Sequence, residues 1–256
     1  MTMNNADEPV VSVITCAHNE ESYVGKCLSS IRRALKGIKS EMIFVADRCT
    51  DNTVKIAKMH KVDKLVEKTW KKWQNSYAEA LQAGYFHASG RYVSIIDADI
   101  VLPEDFFEKL IPLIDDKVVS VSAIVRTFPS TLLNRLVFAW ERTHEITPFG
   151  RRPRGAARVI LRQALCEIKG FRDVPAPDTD IDLRLAEKGY ESVYSHVKVW
   201  HIREITLGKI LSGQLGSGRA RYYHGIGFTR TMGHAIFRAR PLVVYGWLLE
   251  WIRSKI

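Results

Sequence analysis

Tyr92-Val93-Ser94-Ile95-Ile96-Asp97-Ala98-Asp99 is a short strand-forming run that ends in two carboxylates. Its first five residues are rich in β-branched and aromatic side chains and predict a buried strand. Two acids at a strand exit repel each other unless a cation lies between them or solvent screens them. Oxygen ligands suit a hard divalent ion such as magnesium or manganese. Such an ion also neutralises charge on a diphosphate leaving group. A solvated strand-to-loop turn has the same pattern, so the pair alone leaves both readings open.

Upstream of this run, strand and helix patterns alternate. Val10 to Thr15 is a short apolar run that predicts a buried strand. Tyr23, Val24, Cys27, Leu28, Ile31 and Leu35 then recur at helical spacing. Asn19 is the expected cap of that helix, with Glu20 and Glu21 in its first turn and Gly37 at its stop. Met42 to Ala46 and Lys64 to Glu67 predict strands. Thr53 to His60 and Ser76 to Ala88 predict helices. Downstream, Pro103 opens an expected helix that runs through Leu113. This order predicts an α/β fold, with a mostly parallel, Rossmann-like sheet flanked by helices. Such sheets bind ligands at the carboxyl ends of their strands. Residues 16–20, 47–53 and 97–99 follow strands and are rich in polar side chains, so they should line the crevice.

The second half is less regular. Val118 to Val125 predicts a strand and Leu132 to Thr143 a helix. Phe149 to Ala157 reads as a basic loop. Helices are expected over Arg162 to Lys169 and Asp178 to Lys188, and extended chain over Ser192 to Ser195 and Lys198 to Trp200. From Thr206 onward the pattern is helical but interrupted by glycines.

Composition sets the class. The 256 residues are 46% hydrophobic and 26% charged, which suits a globular protein and not a disordered one. The 38 basic side chains against 28 acidic ones give a net charge of +10 and point to anionic partners. Cys16, Cys27, Cys49 and Cys166 show no zinc-ligand or C-x-x-C spacing, as expected of a reduced, cytoplasmic protein. Residues 1–9 do not resemble a signal peptide, and no apolar run reaches the ~18–20 residues of a membrane span.

Four segments together resemble the inverting glycosyltransferase family two, which has the GT-A fold. His18-Asn19-Glu20 resembles its N-E motif, and Asp47 to Thr53 its D-G-S-x-D-x-T motif. Asp97-Ala98-Asp99-Ile100 resembles its D-x-D segment. Pro177 to Leu185 resembles its E-D-x-D-L-x-x-R-L stretch. The resemblance spans roughly residues 9–203 in the family's order. It implies that Glu20 and Asp47 contact the nucleobase and ribose and that Asp97 reaches the ribose or donor sugar. It further implies that Asp99 and His201 bind the metal and that Asp178 is the general base. Departures are Ala46, Arg48 and Pro177, where the family carries Asp, Gly and Glu. Asp180 and Asp182 are rival bases. Gln214, Arg219 and Arg221 resemble the Q-x-x-R-W element of processive members at altered spacing, with the arginines as diphosphate clamps or as a solvated basic face.

The expected organisation is therefore a catalytic domain over residues 1–204 and a helical extension over 205–256. The expected activity is metal-dependent transfer of a sugar from a nucleotide-diphospho-sugar to a hydroxyl or phosphate acceptor, with inversion. Mg2+ or Mn2+ is the expected cofactor, and no nucleic acid partner is expected. The alternatives are a catalytically silent nucleotide-sugar or membrane-binding module and a sugar nucleotidyltransferase. The latter should carry a Gly-rich loop where Cys16-Ala17-His18-Asn19-Glu20 stands. In the tail, Tyr245, Trp247 and Trp251 lie among apolar and basic residues. That suits either a peripheral helix on the inner, anionic face of a membrane, serving a lipid-linked acceptor, or a helix packed on the domain.

Overall fold

The computed structural model describes residues 8–143 and 155–255. The chain divides into two units. The first comprises residues up to 128, 149–173 and 177–203. The second comprises 129–148, 174–176 and the residues from 204 onward.

The first unit is built on an eight-stranded sheet in the order β3-β2-β1-β4-β7-β6-β8-β5. Its strands are β1 (Val11–Ala17), β2 (Ser40–Asp47), β3 (Lys64–Lys68), β4 (Tyr92–Ile96), β5 (Ile100–Val101), β6 (Val118–Thr127), β7 (Ala157–Leu161) and β8 (Glu191–His201). The pairs β1–β2, β2–β3 and β1–β4 are parallel. Both faces of β1 and β4 are buried, which is why they read as nearly continuous apolar runs. Helix α1 (Val24–Ala34) buries Cys27, Leu28 and Ile31, while α3 (Ser76–Phe86) buries Ala80 and Leu81. Helix α2 (Thr53–Met59) connects β2 to β3. The mostly parallel sheet with flanking helices is the one expected.

The other half of the sheet departs from expectation. β7 was unforeseen; it runs antiparallel to both β4 and β6, so Ala157 opens a strand where a loop was expected to end. Residues 149–154 of that loop lie outside the described residues. β8 is one strand, not two extended pieces, and its register against β6 shifts twice. Pro103 precedes helix α4 (Phe106–Leu110), which passes into a 3-10 turn over Ile111–Leu113. Asn19 does not cap α1. It has φ of 57°, its side chain accepts from the Thr50 amide at 2.8 Å, and α1 starts after Tyr23 with no acid in its first turn. Helix α6 (Arg162–Glu167) follows β7, and α7 (Pro177–Glu187) precedes β8. Because α7 begins at Pro177, Asp178 lies inside its first turn instead of capping it.

The second unit holds α5 (Leu132–Thr143), α8 (Leu207–Tyr223), α9 (Phe228–Phe237) and α10 (Leu242–Arg253). Thr206 caps α8 by accepting from the Lys209 amide at 3.3 Å. The glycines at 213, 216 and 218 do not interrupt α8. At Gly218 a Cβ would fall 2.1 Å from the Val243 carbonyl oxygen, and at Gly246 one would fall 2.3 Å from that of Leu215. These two glycines let the backbones of α8 and α10 touch. Gln214 Oε1 accepts the Leu242 amide at 3.2 Å, at the start of α10.

Candidate active site

The carboxyl ends of β1, β2 and β4 release residues 18–20, 48–53 and 97–99 on one edge of the sheet. These loops are stitched together. The Glu20 amide donates to Thr53 Oγ1 at 2.7 Å, and the Glu21 amide to Asp51 Oδ2 at 3.1 Å. Asp51 Oδ1 also accepts the Thr53 amide at 3.0 Å, closing the turn into α2.

Asp99 stands at the centre of a charge cluster. Arg203 Nε lies 2.6 Å from Asp99 Oδ2, and Arg203 Nη2 bonds Glu20 Oε1. His201 Nε2 lies 3.1 Å from the same Asp99 oxygen. Burial alone would push the Asp99 carboxyl up, but His201 and Arg203 hold it below the usual range. Burial likewise opposes the Arg203 charge, yet Glu20 and Asp99 raise its pKa. The guanidinium sits 5.2 Å from the centre of the Tyr23 ring, a cation–π contact.

Asp97 is different. Tyr77 donates its hydroxyl to Asp97 Oδ1 at 2.6 Å. Burial, reinforced by the negative charges of Asp99 and Asp178, pushes the Asp97 carboxyl up to about 6, against the pull of Tyr77 and His201. The two acids of the D-x-D pair therefore have separate partners and opposite shifts.

Asp47 is buried and engaged. Lys68 Nζ reaches Oδ1 at 2.8 Å, and Arg48 forks onto Oδ1 at 2.9 Å and Oδ2 at 3.1 Å. Arg48 takes φ of 53° where the family's usual glycine would sit, and it also donates to Ser76 Oγ at 2.9 Å.

The three acids of α7 divide cleanly. Asp180 is paired with Arg184 at 2.6 Å, and Arg184 also donates to the carbonyls of Ile168 and Gly170. Asp182 is paired at 2.5 Å with Arg158, which is fully buried and also donates to Ser120 Oγ at 2.7 Å. Asp178 forms neither pair and acts electrostatically on Tyr77 and Asp97. Gly155 lies so close that a Cβ there would fall 2.9 Å from the Asp178 Cβ.

Arg219 and Arg221 have partners in the helical unit. Arg221 Nε donates to Thr231 Oγ1 at 3.2 Å and Nη2 to the Arg230 carbonyl at 3.2 Å, while Arg219 Nε is 3.9 Å from Glu250.

Sequence comparison decides the family. The profile of Glycosyl transferase family 2 matches residues 12–168, more than half of the chain. The chain belongs to glycosyltransferase family 2. An uncharacterized glycosyltransferase of Haemophilus influenzae is 30% identical over 42% of this chain and 33% of its own length. The prophage-derived glycosyltransferase SunS of Bacillus subtilis is 30% identical over 37% of this chain and 21% of its own length. The matched region is thus about a third and a fifth of those two proteins.

Among solved structures, the mannosyltransferase PcManGT of Pyrobaculum calidifontis, in complex with GDP-Man and Mn2+, superposes with a TM-score of 0.66 at 24% identity. The match covers 94% of this chain and 70% of that one. Glucosyl-3-phosphoglycerate synthase of Mycobacterium tuberculosis, in complex with Mn2+, UDP and phosphoglyceric acid, gives 0.58 at 19% identity, covering 82% and 75%. These likenesses carry the fold, which is GT-A.

Within this family fold, Arg203, Tyr77 and Lys68 are the residues of the candidate site that sequence reasoning missed, and Arg48 was read only as a departure from the family's glycine. Only Arg203 had a local signal, as a basic residue two positions after His201. Tyr77 and Lys68 act across 20 or more residues of chain, where no spacing pattern reaches.

Proposed function

We propose that this family 2 chain transfers a sugar from a nucleotide-diphospho-sugar to a hydroxyl or phosphate acceptor by single displacement, with inversion at the anomeric carbon. The observation that carries the reading is the division of labour on α7. Asp180 and Asp182 are neutralised by Arg184 and Arg158, which leaves Asp178 to act on the Asp97 side of the crevice. A carboxylate so placed takes the proton of an acceptor hydroxyl as its oxygen attacks the anomeric carbon and the diphosphate departs. Glu20, Asp47 and Asp97 are assigned to the donor, with Arg48 over Asp47. A carboxylate has about four lone-pair sites, so Asp47 keeps acceptor capacity beside its two cations. The nucleotide and nucleotide-sugar complexes of the two solved neighbours support a donor of this class.

A divalent ion is part of the reading. Asp99 Oδ2 and His201 Nε2 are 3.1 Å apart. That spacing matches the edge of an octahedron whose ligands lie at ~2.1 Å. Glu20 Oε2 is buried there without a hydrogen-bond partner. Among the described residues no three His, Cys, Asp or Glu side chains converge on a metal-sized site. Magnesium-type ions need few protein ligands, because waters and substrate phosphates complete their shell. Asp99 and His201 would hold such an ion once Arg203 Nε, 2.6 Å from Asp99 Oδ2, gives up that oxygen, and the ion would supply charge neutralisation for the departing diphosphate.

Asp178→Asn tests the assignment. It should leave donor binding unchanged and lower transfer by about 10²–10⁴-fold, measured as product formed per enzyme. Transfer at the unmutated rate would remove Asp178 as the base.

A further inference from the structure

Helix α10, Leu242-Val243-Val244-Tyr245-Gly246-Trp247-Leu248-Leu249-Glu250-Trp251-Ile252-Arg253, is apolar on two faces. One face is used. Val243 and Gly246 are buried, Gly246 lies against the Leu215 backbone of α8, and Trp247 packs on Tyr222 and Phe228. The other face is a stripe at helical spacing: Tyr245, Leu248, Leu249 and Ile252. Tyr245 is 53% and Ile252 47% exposed, and the two leucines between them are half-buried. At the end of α9, Ile236 is 70% and Phe237 57% exposed. A helix that is apolar on both sides calls for cover on both.

Charge identifies the cover. Arg238 and Arg240 precede α10, and Arg253 and Lys255 close it. Residues 204–255 carry eight Lys and Arg against two acids, Glu204 and Glu250. Glu250 lies beside Arg219 and Arg253. A second copy of the same face would oppose like charges, whereas an anionic surface matches them. The twelve residues of α10 span about 18 Å, short of the ~30 Å hydrocarbon core. No helix among the described residues is long and apolar enough to cross a membrane. Tyr and Trp on the exposed side suit the headgroup level of a bilayer.

We infer that the outer stripe of α10, with the end of α9, lies on the surface of an anionic lipid bilayer. It binds by partial burial of Tyr245, Leu249 and Ile252 and by the basic residues at both ends of α10. The face belongs to the helical unit, and its occupation by lipid is independent of the reaction proposed above.

Sedimentation of the whole chain with vesicles tests this. One set is phosphatidylcholine alone; the other contains about 30 mol% phosphatidylglycerol. The anionic vesicles should bind at least about tenfold more protein, and salt should weaken that binding. Changing Tyr245, Leu249 and Ile252 together to Ser should abolish it. Circular dichroism and the thermal shift produced by nucleotide with Mn2+ should stay unchanged. Arg253→Glu with Lys255→Glu should remove the preference for anionic vesicles. Absence of binding, equal binding to both vesicle types, or undiminished binding by the Ser variant would overturn the inference. So would self-association of the chain that the Ser variant dissolves, since the occupant would then be a second copy. Nucleotide binding is read separately, so either proposal can fail without the other.

Discussion

Lys68 is the last residue of β3 and is fully buried, with its ammonium 2.8 Å from both Asp47 and Glu79. Burial pushes both carboxyls up, yet the ammonium and its companions hold both below the ordinary range. Depressed carboxyls contribute stability above their unfolded pKa values and lose it as pH falls through the folded ones. Lys68→Met should therefore destabilise the fold by about 3 kcal/mol at neutral pH, because two buried carboxylates lose their shared cation and only Asp47 keeps another, Arg48. The deficit should shrink below roughly pH 4, where protonation relieves the variant and removes the advantage of the parent. Urea unfolding of both proteins at the two pH values measures the difference. A deficit independent of pH would show that Lys68 acts through packing alone. Asp47 was legible because it leaves a strand. Its partner was not, because that pairing is set by the neighbouring strand 21 residues away.

The strand that escaped prediction shows how one charged residue hides an element. Ala157 to Leu161 has buried positions throughout its first four residues, but Arg158 sits among them inside a run of arginines. Read locally, that run is a solvated loop. Its charge is cancelled by Asp182, 24 residues on, and no local pattern carries that information. Helix α8 was obscured for the opposite reason. Its glycines read as interruptions, although Gly218 is required by the contact with α10. Gly218→Val should force α10 away from the Val243 carbonyl and destabilise the helical unit by about 1–3 kcal/mol. Gly213 has nothing within 4 Å of where a Cβ would stand. There, Gly213→Ala should stabilise α8 by about 0.5–1 kcal/mol, since alanine is the better helix former. Thermal unfolding followed by circular dichroism separates the two substitutions, and a loss in both would refute the contact-based account.

At the scale of the whole molecule, the parallel half of the sheet and its ligand edge were legible from alternation alone. β1, β2 and β4 are buried on both faces, so their exits could be read as one polar crevice. The mixed half was legible only in pieces, since β7 and the place of β8 beside β6 are set by partners distant in sequence. A ligand that binds only the folded state raises its stability, by about 2.7 kcal/mol at a hundred times its dissociation constant. GDP or UDP should therefore raise the melting temperature more with Mn2+ than without it. Asp99→Ala should erase the manganese-dependent part. An unchanged manganese increment in that variant would remove Asp99 from the ion site.

Gly155 gives the crevice a wall of bare main chain against Asp178, and the neighbouring Ala156 carbonyl is pinned by the Asp97 amide at 2.9 Å. Main chain held in this way has no rotamers left to freeze. Ordering the surroundings of Asp178 is thus a cost borne when the sheet forms and not when a ligand arrives. At Gly155 that part of the site offers main chain alone, with no rotamer to order.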